Sequence, residues 1–232
     1  MGLDRRTLSI PARPEPLALE PRRTAVIVVD MQNAFVSRGG YLDLLGVDLS
    51  GAAGVIARTR EVLAASRPAG MHVVFLQMGW TRDRRDAGGP TSPNWHKANA
   101  LRLMRRRPEL DGTLMIQGTW DYALVDELKP EPEDLVVHKP RYSGFYSTNL
   151  DALLRERDVR TLVFTGVASN VCVESTLRDA FFLEYFPLWV ADCSLPSGPP
   201  HLHDAAVENV QRFFGWVTTT AEYVAAVRAA GG

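Results

Sequence analysis

The feature that most restricts this chain is the run from Thr24 to Asp30, TAVIVVD, an unbroken apolar stretch closed by an acid. A strand covered on one side alternates apolar and polar residues. A continuous β-branched run instead marks a strand buried on both faces of its sheet. Further short runs follow at His72 to Met78, Leu135 to Val137, Thr161 to Val167, Phe186 to Ala191 and Trp216 to Thr219. Helical spacing fills the gaps: Ser50 to Ala69 (Val55, Ile56, Val62, Leu63, stopping near Gly70), Leu150 to Arg157, Asn170 to Tyr185, His201 to Phe214 and Ala221 to Ala230. Gly39-Gly40 marks a loop, and Gly79 to Asn94 a longer one of the kind that carries function. Strands that alternate with helices predict an α/β fold, a parallel sheet with helices on both faces. The expected organisation is one domain over 24–232, preceded by an extended arm over 1–23.

Charge and cysteine content narrow the function classes. The 232 residues carry a formal net charge of −1, which gives no broad electrostatic case for nucleic acid or an anionic membrane. Arg105-Arg106-Arg107 reads as a solvated helix end. No apolar stretch approaches the roughly 20 residues of a membrane span, and the Pro- and Arg-rich start lacks the apolar core of a secretory signal. Two cysteines, Cys172 and Cys193, are too few for a disulfide framework, so a reducing, cytoplasmic setting is expected.

In parallel sheets of this kind ligands sit at the carboxyl ends of the strands. Asp30 closes the first core strand, Lys139 follows the third, and Cys172 follows the fourth at the start of a helix. Each has a bland reading: a turn-capping acid, a surface charge beside Pro140, a packed thiol. Together they supply the parts of a nucleophilic hydrolase. A thiol attacks as thiolate, which a helix start and a nearby Lys⁺ favour. A carboxylate can take the thiol proton and return it to a leaving amine. Backbone N–H groups in the turn from Gly166 to Cys172 could receive the oxyanion. Cys193 has no such partners and reads as structural. His201 and His203 would share a face only in a strand, and Pro199-Pro200 signals a helix start there, so no metal is expected.

The segments VVDMQN (28–33), His138-Lys139-Pro140 and TGVASNVCVEST (165–176) together resemble the isochorismatase-like cysteine hydrolases, over about residues 20 to 220. That resemblance implies a six-stranded parallel sheet in a three-layer α/β/α Rossmann-like fold. It also implies a catalytic triad of Asp30, Lys139 and Cys172. A cis peptide is implied at Val167–Ala168, with the oxyanion hole formed by the N–H groups of Ala168 and Cys172. Metal-dependent members carry an Asp-x-His pattern after the second strand, where this chain reads Gln77-Met78-Gly79-Trp80; no cofactor is implied. The loop segments GGYLDL (39–44), AGGPTSPN (87–94), Trp120-Asp121-Tyr122, KPRYSGF (139–145) and CVESTLRD (172–179) look like the ureidoacrylate-amidohydrolase branch. This implies cleavage of the ureido bond of (Z)-3-ureidoacrylate or its peracid in uracil catabolism, giving aminoacrylate, ammonia and carbon dioxide. Two positions depart from that branch: Phe35 stands where it has Tyr, and Met78 where it has Asn. Both remove a polar group from the expected pocket, which keeps open a related amidase acting on biuret, an N-carbamoyl amino acid or another small amide. Trp80 and Tyr142 are candidates for the pocket wall, and Arg141, Lys97 or Arg82 for a substrate carboxylate. The resemblance implies a homo-oligomer, to which the stretch Phe181 to Phe186 could contribute interface or core.

Overall fold

The computed structural model describes residues 7–231. Its centre is strand β3 (Thr24–Val29), every residue of which is buried. Strands β1 (Leu8–Ile10) and β2 (Leu17–Leu19) precede it as an antiparallel ribbon. After it come the one-turn helices α1 (Asn33–Val36) and α2 (Tyr41–Leu44), then α3 (Ala52–Ser66) and β4 (His72–Met78). Helices α4 (Pro93–Lys97) and α5 (Asn99–Arg106) lead to β5 (Leu135–Lys139), α6 (Leu150–Glu156) and β6 (Thr161–Val167). A π-helical turn over Ser169–Val173 opens α7 (Glu174–Phe182), followed by β7 (Phe186–Leu195), α8 (His201–Asn209), β8 (Trp216–Thr218) and α9 (Thr220–Gly231).

The six core strands lie in the order β5-β4-β3-β6-β7-β8, and every pairing is parallel. The unbroken apolar runs are explained by their two-sided burial. In β3, Val26 and Val28 pack on one face with Val55 and Val62 of α3 and Val224 of α9. Ala25, Ile27 and Val29 pack on the other, with Leu154 of α6, Leu177 of α7 and Ala206 of α8. The three-layer α/β/α architecture is therefore present with the expected six strands.

The chain leaves β3 for β4 on one side and later returns to β6 on the other. That reversal of strand order opens a crevice at the carboxyl ends of β3 and β6, where a parallel sheet binds its ligand. Gly166 keeps the two strands close there: its φ is +102°, and a Cβ would lie 2.1 Å from the Val29 carbonyl oxygen.

The sequence reading departs from the structure in places. Within the stretch read as an extended arm, residues 8–10 and 17–19 pair with each other, and Leu8, Ile10, Leu17 and Leu19 are buried in the same core as α9. Residues 1–6 of that arm lie outside the described residues. The helix expected over Asn170 to Tyr185 begins as the π-helical turn and ends at Phe182. Likewise the helix expected over His201 to Phe214 is α-helical only to Asn209 and π-helical over Val210–Phe214. In Phe181 to Phe186 the alternatives divide by residue: Tyr185 is buried, whereas Phe181, Phe182 and Phe186 are exposed.

Candidate active site

Asp30 follows β3 directly, with its backbone in the left-handed region (φ 52°). Asp is among the few residues that tolerate this conformation. Its N–H donates to the Leu76 carbonyl at 3.0 Å, which ties the strand end to β4. Lys139 ends β5, two strands away, and its long side chain spans the gap. The Nζ donates to Asp30 Oδ2 at 2.8 Å, to the Tyr142 carbonyl at 3.0 Å and to the Arg141 carbonyl at 3.3 Å. All three ammonium donors are thus occupied, and the Asp30 and Lys139 side chains are both wholly buried. Cys172 lies in the π-helical turn after β6 and is 4 % exposed. Its thiol interacts electrostatically with both Asp30 and Lys139. Asp30 Oδ1, the oxygen that Lys139 leaves free, is buried without a hydrogen-bond partner among the described residues.

The three groups tune one another. Burial raises the Asp30 carboxyl above its ordinary value, against the pull of Lys139. Burial opposes the charge on Lys139, but Asp30 and then Cys172 outweigh it and hold the ammonium protonated beyond its usual range. Burial also pushes the Cys172 thiol up, with Lys139 drawing it down and Asp30 pushing it further. Burial thus works against the thiolate that a helix start and a nearby lysine favour. A transfer of the thiol proton to Asp30 leaves the net charge of the trio unchanged. A carboxylate made more basic by burial is suited to accept it.

The Val167–Ala168 peptide is cis. Ala168 precedes the π-helical turn, and its carbonyl accepts from the N–H groups of Val171 and Val173. No acceptor for the Ala168 N–H is found among the described residues. Ala168 and Cys172 both line a cleft of about 560 Å³, a volume that includes space open to solvent at its mouth.

Of the residues expected to hold substrate, Phe35, Met78, Trp80 and Tyr142 line this cleft and Arg141 does not. Trp80 is fully buried, with its indole N–H donating to the Pro140 carbonyl at 3.1 Å, so it is both packed and part of the wall. Phe35 meets Tyr41 edge to face at 6.0 Å. The Arg141 guanidinium donates to the Asp86 and Pro140 carbonyls, at 2.9 and 2.8 Å, and lies over the Tyr146 ring. Lys97 and Arg82 are also absent from the lining. Among the described residues no three His, Cys, Asp and Glu side chains converge to hold a metal ion. No helix among them is long and apolar enough to cross a membrane.

Sequence reading missed the residues that brace the site. The Gln32 carboxamide accepts from Met78 N–H at 2.8 Å and donates to the carbonyls of Met78 and Tyr122, at 3.0 and 2.8 Å. It clamps the end of β4 beside Asp30. Asp121 takes the N–H groups of Tyr41 and Met115, at 2.9 and 2.7 Å, and so fixes α2 against the cleft. The Asn170 side chain accepts from Ser197 N–H at 2.9 Å and holds the loop after β7. The only signal for the first two was that VVDMQN and Trp120-Asp121-Tyr122 belong to the family-like segments; no periodicity marks them.

Comparison with known proteins agrees with this architecture. The isochorismatase domain model matches residues 24–222. Ureidoacrylate amidohydrolase RutB of Stutzerimonas stutzeri is 60 % identical over 212 residues, covering 91 % of this chain and 86 % of that protein. The protein of the same name from Agrobacterium fabrum is 56 % identical over 216 residues, covering 93 % of this chain and 95 % of the relative. Among solved structures, a cysteine hydrolase from Pseudomonas syringae pv. phaseolicola superposes with a TM-score of 0.77 at 29 % identity, covering 98 % of this chain and all of that one.

Proposed function

The chain belongs to the isochorismatase family, and we propose that it is a ureidoacrylate amidohydrolase in which Cys172 is the nucleophile, Asp30 the proton acceptor and Lys139 the fixed charge between them. The observation that carries the catalytic part is the free Oδ1 of a buried Asp30 whose other oxygen is bound to Lys139, beside a thiol lining the cleft. Two relatives named for this activity, at 56 and 60 % identity over more than nine-tenths of the chain, support the substrate.

In this reading Asp30 takes the Cys172 proton as sulfur attacks the ureido carbonyl. The negative oxygen forms against the N–H groups of Ala168 and Cys172. The tetrahedral adduct collapses, the carbon–nitrogen bond to the acrylate breaks, and Asp30 returns the proton to the departing nitrogen. A carbamoyl thioester remains on Cys172. Water, deprotonated by Asp30, releases it as carbamate, which falls apart to ammonia and carbon dioxide. Aminoacrylate, ammonia and carbon dioxide account for every atom of ureidoacrylate plus one water.

We read residues 24–232 as one catalytic domain and the ribbon before it as an N-terminal arm. A small-molecule amide is the partner expected at the cleft. Exposed Phe181, Phe182, Phe186 and Phe213 support assembly into a homo-oligomer, which light scattering of the purified chain would test. The decisive experiment is ammonia release from (Z)-3-ureidoacrylate against a panel of small amides, including biuret and N-carbamoyl amino acids, with Cys172→Ser as blank. Turnover of ureidoacrylate that survives in Cys172→Ser would overturn the nucleophile. Turnover confined to another amide would overturn the substrate.

A further inference from the structure

The cleft has a chemical gap. A ureido acid brings a carboxylate, yet the lining contains no arginine, and Lys139 is committed to Asp30 and two carbonyls. Much of the wall is apolar: Phe35, Met78, Ala98, Met115 and Val171. Something other than a cation must receive the anion.

Helix α5 begins at this wall. Ala98, Asn99 and Ala100, its N-cap and first two residues, all line the cleft. Ala98 has no side chain able to cap, and the N–H groups of Asn99, Ala100 and Leu101 have no acceptor among the described residues. Ala100 and Leu101 are each 1 % exposed, so bulk water does little to satisfy those donors. First-turn N–H groups point out of the helix start and carry partial positive charge.

A second donor stands at the same wall. Tyr41 lines the cleft and is 8 % exposed. The Asn99 side chain stands beside it, with its Oδ1 accepting from Arg102 at 3.2 Å. No hydrogen bond donated by the Tyr41 hydroxyl is found among the described residues, so its proton is available at the cleft. Burial raises the phenol above its ordinary value, so the proton stays on at neutral pH. Asp121, the carboxylate behind Tyr41, is turned to two backbone N–H groups.

Resting on the ureido-acid reading above, we propose that the first turn of α5 and the Tyr41 hydroxyl form the anion-binding wall of the cleft, and that they hold a substrate carboxylate by hydrogen bonds and the helix dipole in place of a cation. Helix starts bind carboxylates and phosphates in this way. Uncharged donors also suit a site already dominated by the fixed Lys139–Asp30 pair, since a second cation would compete for Asp30. Tyr41 and α5 then decide which end of a planar ureido acid faces Cys172.

The test is calorimetric binding to the Cys172→Ser protein of two probes, the ureido acid and its carboxamide, which share shape and differ in charge. The acid should bind at least about tenfold more tightly than the carboxamide. Tyr41→Phe should weaken the acid about tenfold and leave carboxamide affinity within twofold. Asn99→Pro removes the N–H of the first helical position, where a helix accepts proline and where Ala98 before it is already extended, and should reproduce that selective loss. Equal binding of the two probes, or equal loss of both in each variant, overturns the proposal. Because the readout is binding, the two hypotheses separate. An acid-selective, Tyr41-dependent site on a protein that releases no ammonia would overturn the substrate reading alone. Turnover without acid selectivity would overturn this one alone.

Discussion

Two cysteines sit after or within adjacent strands, and both are free, buried and hard to ionise. Cys172 follows β6, and Cys193 lies in β7. Burial pushes both thiols up, Cys193 to about 12. By ionisation alone they are alike. Their surroundings differ in one respect that matters. The Cys193 sulfur lies 3.1 Å from the Thr220 hydroxyl, and the nearby Asp192 uses its Oδ1 on the N–H and hydroxyl of Thr220. Cys172 borders a cleft and faces a carboxylate oxygen with nothing else to bind. A depressed resting pKa is therefore not what supports Cys172 as the proposed nucleophile. What supports it is an unused buried proton acceptor together with room for a carbonyl.

The sharpest way to break that contrast is substitution of each thiol in turn. Cys172→Ser should lower ammonia release on the order of 10⁴-fold or more, since the other groups have no nucleophile to serve. Cys193→Ser should stay within about threefold. Comparable losses in the two variants would sink the contrast. Removing the acceptor tests the same idea from the other side. Asp30→Asn keeps the shape and the hydrogen bond to Lys139 but cannot take a proton, and should cost about 10² to 10⁴-fold in turnover. A rate within tenfold of the intact protein would mean that the thiol proton leaves by another route.

Lys139 was legible as a strand-end residue, because the apolar run at 135–137 is followed at once by His138-Lys139-Pro140. Asp30 and Cys172 were legible for the same reason, and the six strands with them, because two-sided burial writes itself into a sequence as an unbroken apolar run. What could not be read is whatever depends on contacts between distant loops. Asp121 reaches back to Tyr41 across 80 residues, and Gln32 spans to Met78 and Tyr122. Neither leaves a period in the sequence. Arg141 was one of three cations available for a substrate carboxylate, but a side chain two residues beyond a strand end is free to turn, and its donors found the carbonyls of Asp86 and Pro140 instead. The β1–β2 ribbon was obscured by Pro11, Pro14 and Pro16, which punctuate strands of three residues.

The Lys139–Asp30 pair has a cost that the Cys193 region does not share. Removing only the ammonium, as in Lys139→Met, strands a buried carboxylate and should destabilise the fold by about 3–5 kcal/mol near pH 8. The sign of the pH dependence follows from the raised Asp30 pKa. The folded state holds the proton more tightly than the unfolded chain, whose carboxyl titrates near 3.8. Stability therefore falls as pH rises between that value and the raised folded value, and the variant should recover on acidification. Denaturant unfolding of Lys139→Met at several pH values checks this. Adding Asp30→Asn should restore most of the lost stability and none of the activity. A double variant no more stable than Lys139→Met would show that the lysine acts through packing.

The smallest effect tests the claim that ionisation does not separate the two thiols. An unfolded thiol loses its proton near 9.0, whereas burial keeps Cys193 protonated up to about 12. Between those values the folded state binds the extra proton, so stability falls as pH rises, by at most about 1.4 kcal/mol per pH unit for each such group. Cys172, raised by burial from the same starting value, contributes with the same sign. Buried tyrosines add to the same slope as their unfolded phenols ionise around 10, so the difference between each thiol variant and the intact protein between about pH 9 and 10 reports that thiol. Cys193→Ala and Cys172→Ala should each flatten the stability curve there, measured by denaturant midpoints on the same buffer series. If only Cys172→Ala flattens it, the two thiols differ in ionisation after all, and the distinction drawn from the free oxygen of Asp30 loses its footing.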